Sequence, residues 1–204
     1  ISYTLAGGVI AALLGPELAK LTRDALSVEF AGSFAALIVV SFVALAVLQF
    51  LRIPPPVVNP QAEPARPLDE IVRNRTFGVA LLAALVGYAG MAFLMTVTPL
   101  AMSAHHHSFD SAAFVIEWHI LAMFAPSFVT GTLIARWGVL RILIAGTVLF
   151  AGSIAVNLSG TGVTQFWLGL VLLGLAWNFL YVGGTTLLTE TYRPSEKALV
   201  QASN

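Results

Sequence analysis

The chain consists of six long apolar stretches separated by shorter polar breaks. The stretches cover residues 1–19, 30–51, 77–103, 112–135, 142–157 and 163–188, and a polar tail follows at 193–204. A helix crosses a bilayer core of about 30 Å with roughly 20 mainly apolar residues. Because the stretches are continuously apolar and do not alternate, they predict spanning helices and not strands. We therefore expect an all-α membrane protein, a polytopic helical bundle of six transmembrane spans.

The amino-acid composition supports a membrane protein. Hydrophobic residues make up 58% of the 204 residues and charged residues only 10%, whereas soluble domains average about 25% charged residues. So few charges cannot cover a water-soluble surface, which disfavours the alternative of six helices buried in one large soluble core. The ten basic and ten acidic residues cancel, so no global field attracts nucleic acid. The lack of cysteine excludes disulfides, thiolate metal sites and a cysteine nucleophile.

The basic residues lie mostly on one side of the predicted spans. When the polar breaks are assigned alternately to two sides, Lys20 and Arg23 fall on one side. The other side holds Arg52, Arg66, Arg73, Arg75, Arg136, Arg141, Arg193 and Lys197. Cytoplasmic loops carry the excess of Lys and Arg. The long break, the turn at 135–141 and the tail are therefore predicted to face the cytoplasm of a bacterial-type inner membrane.

Residues 52–76 form a Pro-rich linker with two spans before it and four after it. Its six prolines, between positions 54 and 67, favour an extended, polyproline-like chain over helix. The chain also opens at Ile1, without a methionine or a basic signal-peptide region. Because the linker divides the spans unevenly, we expect the chain to be part of a longer protein.

The first span carries a stripe of small residues. Gly8 is separated by six residues from the pair Gly15-Pro16, and Ala11 lies between them on the same helix face. Such a stripe lets two membrane helices approach closely, and Pro16 frees a backbone carbonyl and can bend the helix. The pattern is similar to a Gly-x6-Gly-Pro motif of transport proteins, although small-residue stripes also occur in other packed bundles.

Two polar segments on the predicted cytoplasmic side have recognisable patterns. The turn GTLIARWGVLR begins at Gly131 and includes Arg136, Gly138 and Arg141. It is similar to a Gly-x4-Asp-Arg-x-Gly-Arg-Lys loop, although a simple positive-inside turn explains its arginines equally well. Residues 190–197, ETYRPSEK, contain a Pro-x-Glu pattern that is typical of the start of a short helix.

Together with the linker and the charge asymmetry, these motifs resemble the major facilitator superfamily, in which a long cytoplasmic loop joins two six-helix halves. The resemblance implies that the six spans are the family's fifth to tenth helices. Residues 1–51 are then the last two helices of the N-terminal half and 52–76 the cytoplasmic linker. Residues 77–192 are the first four helices of the C-terminal half, and 193–204 form a cytoplasmic loop.

Glu117 and His119 are the ionisable pair inside a predicted span. Ionisable groups cost free energy in a membrane and are functional candidates by default. A buried Glu or a His can bind and release a proton near neutral pH, so both residues are candidates for proton coupling. Alternatively, both side chains reach the outer interface and are hydrated.

The last span has a polar stripe. Asn178, Tyr181, Thr185 and Thr189 recur at helical spacing, and Trp167 extends the same face. Uncharged hydrogen-bonding groups beside aromatic rings suit a path for an organic solute, whereas the same groups also join helices to one another. Tyr88 and Trp118, with Met95, Thr98, Ser127 and Thr130, are further candidates for the solute path. Gly183 and Gly184 predict either close packing or a gate hinge.

The run His105-His106-His107, followed by Asp110, is interpreted as a solvated outer loop. Imidazole and carboxylate groups can bind metals, but three consecutive histidines cannot all face one ion. We expect no metal site, no cofactor and no enzymatic activity, because neither a nucleophile elbow nor a phosphate-binding loop is present.

These patterns predict a secondary transporter that moves a small organic solute across the membrane by alternating access, driven by a proton gradient. Its partners are the lipid bilayer and the solute, and not nucleic acid. The alternative hypothesis is a non-transporting structural or assembly subunit derived from the same family, which requires other membrane subunits to cover its exposed faces.

Overall fold

The computed structural model describes residues 2–52 and 64–202, with side chains from residue 6 onward. All regular secondary structure in these ranges is helical. The helices are α1 (Ser2–Thr22), α2 (Ala31–Leu48), α3 (Leu68–Val72), α4 (Arg75–Ala104), α5 (Phe109–Phe124), α6 (Ser127–Trp137), α7 (Val139–Leu158), α8 (Val163–Thr189) and α9 (Lys197–Ala202), and a 3₁₀ turn at Pro194–Glu196 precedes α9.

Most of the long helices are long and apolar enough to cross a membrane. Within the described ranges, α2, α4, α7 and α8 qualify by length and composition, and α5 with α6 makes a fifth span if the bent pair is counted as one. The first predicted span coincides with α1, a helix of 21 residues that is not one of these. The all-α membrane fold is confirmed, whereas four of the six predicted spans qualify among the described residues, or five if the bent pair is counted as one span.

Helix α8 is the centre of the bundle. Helices α4, α5 and α7 pack around it, and its buried residues lie on several sides of the helix. A helix that is apolar all round is expected to be enclosed by its neighbours. By contrast, α2 contacts mainly α1 and buries only Gly32 among its residues. Most of the apolar surface of α2 is therefore left uncovered by the described residues.

The fourth predicted span, 112–135, is not one straight helix. It divides into α5 and α6, which are bent by 42° at Ala125 and Pro126. Proline has no backbone N–H, and its ring collides with the carbonyl of the residue four positions earlier. Pro126 therefore ends α5, and the chain resumes as a helix at Ser127.

The turn between α6 and α7 depends on a single glycine. Gly138 alone separates the two helices, and its φ of 85° lies in a region that side-chain-bearing residues rarely adopt. No longer loop separates the two helices.

The end of the linker and the segment after α8 are joined by a buried ion pair. The Arg66 guanidinium donates to Glu196 Oε1 from Nε and to Glu196 Oε2 from Nη2, each at 2.8 Å. The backbone N–H groups of Arg66 and Arg193 also donate to this carboxylate, and Arg66 Nη2 reaches the Thr191 carbonyl at 3.0 Å. Glu196 is fully buried. The sequence predicted a Pro-rich linker and a short helix after the last span, but not their contact, and the part of the linker at 53–63 lies outside the described residues.

Candidate functional site: the α5–α8 contact and its aromatic flanks

Asn178 of α8 joins the two halves of the broken helix. Its Nδ2 donates to the Met123 carbonyl at 2.7 Å and to the Ser127 hydroxyl at 2.5 Å. Its Oδ1 accepts from the Thr130 hydroxyl at 2.6 Å. Asn178 and Thr130 are both fully buried. The polar groups at the break are thus paired inside the protein, as a lipid environment requires.

One helical turn earlier, α8 makes its closest approach to α5. A Cβ placed on Gly174 would lie 2.5 Å from the His119 carbonyl oxygen and 3.0 Å from the Met123 backbone nitrogen. Residues 170, 174 and 178 follow one another at helical spacing on this face. The glycine allows the backbones to approach, and the polar groups on both sides of it then come within hydrogen-bonding distance.

His119 is fully buried between α5 and α8. Its Nδ1 lies 2.8 Å from the Leu170 carbonyl oxygen. Because a carbonyl only accepts, Nδ1 carries the hydrogen and Nε2 is the atom that can take up a proton. Nε2 has no hydrogen-bond partner in the described structure.

Glu117 does not share this environment. It is half-buried on α5 and has neither a hydrogen bond nor an ion pair within the described residues. Its carboxylate and that of Asp110 act electrostatically on the ammonium group of Lys20 on α1. The two proton-coupling candidates therefore face different surroundings, as their separation of two residues on a helix requires.

Buried polar atoms without a partner concentrate along α8. Within the described residues they are His119 Nε2, Trp167 Nε1, Trp177 Nε1 and Thr185 Oγ1. Three belong to α8, and the His119 side chain packs on that helix. Such atoms are rare in folded proteins and call for a physical explanation. Trp167 and Thr185 belong to the stripe that the sequence indicated, whereas Trp177 was missed although its position four residues before Tyr181 places it beside that stripe.

Trp177 and Tyr181 form a parallel aromatic stack on α8. Their ring centroids are 4.8 Å apart with an interplanar angle of 8°. Phe124 meets Trp177 edge to face at 6.2 Å, and Met91 and Met123 pack around the indole. Methionine sulfur and aromatic edges are adaptable contacts, so this stack has a soft apolar surround.

Tyr181 continues into a groove between α4, α8 and α9. The groove has a volume of about 390 Å³, and its wall includes Leu81, Leu85, Tyr88 and Gln201. Tyr88 is 57% exposed and Tyr181 38%. Two of the predicted solute-path residues thus share one groove, with a side-chain amide at its rim.

Two other tryptophans, Trp118 and Trp167, lie toward the opposite end of the bundle. Trp118 meets Trp167 edge to face at 5.9 Å, and Phe114 meets Trp118 in the same manner at 6.2 Å. Trp118 is 42% exposed. This second aromatic group joins α5 to α8 and is separate from the Trp177–Tyr181 stack.

The glycines of the predicted motifs have different surroundings. A Cβ on Gly8 would lie 2.8 Å from the Phe124 ring, whereas Gly15 and Gly131 have open space around them. Helix α1 continues through Pro16 without interruption. Among the described residues, Gly8 is therefore the close-approach point of this stripe.

Gly183 and Gly184 are points of close packing. A Cβ on Gly183 would lie 2.9 Å from the Leu143 side chain, and one on Gly184 would lie 3.0 Å from the Ala80 carbonyl oxygen. Helix α8 runs through both positions. They let α7 and α4 approach α8.

The charged turn and the histidine run lie on the surface. Arg136 and Arg141 are exposed and have no ion pair with any described residue. His107 Nε2 donates to the Thr161 carbonyl at 2.7 Å. The described residues contain no group of three His, Asp or Glu side chains arranged to hold a metal ion.

A larger cavity, of about 690 Å³, lies between α1 and α5. Its walls include Gly15, Pro16 and Ile116, and one end is formed by Arg23 and Phe109. The sequence patterns did not indicate this cavity, since Pro16 of α1 and Ile116 of α5, which both line it, are 100 positions apart.

The long apolar helices of the described residues define a polytopic all-α membrane protein. The model of the Major Facilitator Superfamily matches residues 1–204, and the chain belongs to this family.

Three relatives resemble the chain over nearly its whole length. It is 44% identical, over 207 residues, to the riboflavin transporter RfnT of Brucella anthropi, covering 100% of this chain and 52% of that protein. It is also similar to two uncharacterized MFS-type transporters of Bacillus subtilis. YddS is 30% identical, with 99% of this chain and 50% of YddS covered, and YdeG is 31% identical, with 100% and 51% covered. The chain spans about half the length of these relatives. No solved structure gives a significant match.

Proposed function

We propose that the chain is part of a proton-driven secondary transporter that moves riboflavin, or a solute with a similarly flat aromatic ring system, across a bacterial inner membrane. The relative from Brucella anthropi carries the name of a riboflavin transporter and is 44% identical. Uncharged polar groups and aromatic rings along α8, with no charged residue within that helix, suit a neutral or weakly charged ring system.

The observation that carries the proposal is that Tyr181, whose ring stacks on the buried Trp177 at 4.8 Å, lines the same groove as Tyr88. Tyr181 is 38% exposed, and a planar ring can stack on an aromatic side chain of this kind. The Gln201 amide at the rim donates and accepts hydrogen bonds. The groove, at about 390 Å³, lies within the usual range of small-molecule sites of about 300–1,000 Å³.

In this proposal, the solute is transported by alternating access. The part before the linker and the part after it move relative to each other and expose the site first on one side of the membrane and then on the other. His119 and Glu117 supply the proton sites. Uptake of a proton at His119 Nε2 places a charge against α8, and this charge favours a rearrangement of the α5–α8 contact.

Binding of riboflavin to the purified full-length protein tests the substrate. Flavin fluorescence is quenched when the ring stacks on tryptophan or tyrosine, so quenching on addition of protein is the expected result. A flat flavin ring without its sugar chain should compete, and ribitol alone should not. If the protein leaves riboflavin fluorescence unchanged at all concentrations, the substrate assignment is wrong.

A further inference from the structure

Arg23 connects the α1–α2 turn to the beginning of α5. Its guanidinium carbon lies 5.4 Å from the centroid of the Phe30 ring and 5.1 Å from that of Phe109. The two rings also meet edge to face, with centroids 5.4 Å apart at 60°. Phe30 immediately precedes α2 and Phe109 is the first residue of α5. The three side chains, which we name the outer clasp, thus link segments that are 79 residues apart in sequence.

The turn that carries Arg23 and Phe30 is held in shape by its own contacts. Arg23 Nε donates to Glu29 Oε1 at 3.0 Å, and a guanidinium nitrogen makes a second contact with the same oxygen. The Phe30 backbone N–H donates to the Arg23 carbonyl at 2.8 Å. Phe30 has a φ of 63°, which is uncommon for a bulky residue and persists only where the surroundings hold it. The turn therefore presents Arg23 and Phe30 to Phe109 in a fixed arrangement.

The outer clasp forms one end of the 690 Å³ cavity. Arg23, Phe30 and Phe109 line it together with Ala112 and Ile116, one and two helical turns further along α5. The remaining wall comes mainly from α1, from Pro99 and Ser103 near the end of α4, and from the loop between α4 and α5. Separation of the α1–α2 turn from α5 would therefore open this cavity toward the side that carries Lys20 and Arg23.

The contacts of the clasp are of a kind that can be released repeatedly. Partly exposed cation–π contacts and surface ion pairs are individually weak, and the Arg23 side chain is 35% exposed. The Arg66–Glu196 pair at the other end of the bundle is different, because its carboxylate is fully buried and accepts four hydrogen bonds. A weak contact permits two states of similar free energy, which a gate requires.

We propose that the outer clasp of Arg23, Phe30 and Phe109 is a releasable latch. It closes the cavity between α1 and α5 on the side away from the Arg-rich loops. The role of the latch in transport rests on the proposed function, because only there do α1 and α5 belong to parts that move relative to each other. Its closure of the cavity does not depend on which solute is carried.

Accessibility of a single cysteine tests the latch. The 204 residues contain no cysteine, so Ala112→Cys in an otherwise cysteine-free full-length protein reports on the cavity wall. A charged, membrane-impermeant thiol reagent is added outside intact cells, and the labelling rate is measured. Arg23→Gln or Phe109→Leu should each raise the rate about fivefold, which corresponds to the loss of one such contact. Arg23→Lys, which keeps a cation, should raise it less.

Two control variants remove the same residue types elsewhere. Arg52→Gln removes an exposed arginine and Phe42→Ala an exposed ring on α2, and neither should change the labelling rate. Thermal unfolding of each variant identifies any that fail to fold. Equal labelling in the latch variants and the controls would overturn the proposal.

A covalent cross-link that holds the latch closed should block transport. In a Phe30→Cys/Phe109→Cys protein, a short reducible cross-linker should stop riboflavin uptake, and a reductant should restore it. Uptake that continues with the cross-link in place would contradict the latch. A protein that carries no riboflavin but shows the predicted labelling changes contradicts the proposed substrate and supports the latch, so the two failures are distinguishable.

Discussion

The side-chain amide of Asn178 on α8 donates a hydrogen bond of 2.7 Å to the backbone carbonyl of Met123, three residues before the proline that bends the neighbouring span. The same amide also contacts Ser127 and Thr130 beyond the break. One buried side chain thus holds both segments of a broken helix. At Asn178 the polar stripe therefore joins helices to one another. The Tyr181 and Thr185 side chains have no hydrogen-bond partner within the described residues.

Replacement of Asn178 by leucine is expected to destabilise the protein by about 2–3 kcal/mol, because a buried carbonyl and two hydroxyls lose a partner. Thr96→Val serves as the control, since the Thr96 hydroxyl is exposed and bonds only to the Ala92 carbonyl of its own helix. Thermal unfolding in detergent measures both. Equal stability of the two variants would contradict a structural role for the Asn178 amide.

Gly174→Ala is expected to be strongly destabilising. The added Cβ would lie 2.5 Å from the His119 carbonyl oxygen, and a backbone atom cannot move aside cheaply. Gly131→Ala is the matched variant, because nothing lies within 4 Å of a Cβ at that position of α6. There the change should stabilise the helix by about 0.5–1 kcal/mol. The unfolding temperature should fall in Gly174→Ala and rise in Gly131→Ala. A loss of stability at both positions would contradict the packing described.

The helices themselves were largely predictable from the sequence. The predicted spans 77–103 and 163–188 agree within two residues with α4 and α8, because long apolar runs are a strong local signal. The break in the fourth span was missed although Pro126 marks it, since the run stays apolar on both sides. Composition also could not reveal that Asn178 would meet this break, which lies about 50 residues earlier in the chain.

The Arg66–Glu196 pair was not predictable for the same reason, since its partners are 130 residues apart. The pKa of the Glu196 carboxyl lies well below its usual range, mainly because of the Arg66 guanidinium and also because backbone N–H groups donate to it. Its contribution to stability is therefore present above the ordinary glutamate pKa of about 4.3 and is lost as the pH falls below that value.

Glu196→Gln is expected to lower the unfolding temperature at neutral pH and to flatten its decline in acid. Glu70→Gln is the control, because Glu70 lies 3.9 Å from Arg66 and is 58% exposed. That change should have little effect at any pH. Unfolding curves between pH 3 and 7 measure both variants, and identical curves for them would show that the buried pair does not stabilise the fold.

Glu117→Gln tests the coupling proposal. If the carboxylate carries a proton during transport, uptake driven by a proton gradient should be abolished, while exchange of solute without a gradient persists. Asp110→Asn, which changes an exposed carboxylate in the first turn of the same helix, should leave both activities intact. Unchanged gradient-driven uptake in the Glu117 variant would remove this residue from the mechanism, and His119→Gln then tests the other candidate.

Riboflavin uptake tests the central claim most directly. The full-length protein is expressed in bacteria that can neither make nor import riboflavin, and accumulation of labelled riboflavin is followed with and without a proton gradient. The account predicts gradient-dependent uptake that falls at least about tenfold in Tyr181→Leu, which removes one ring of the stack. Phe42→Leu on α2 should leave it unchanged. The absence of riboflavin uptake by correctly inserted protein would contradict the account.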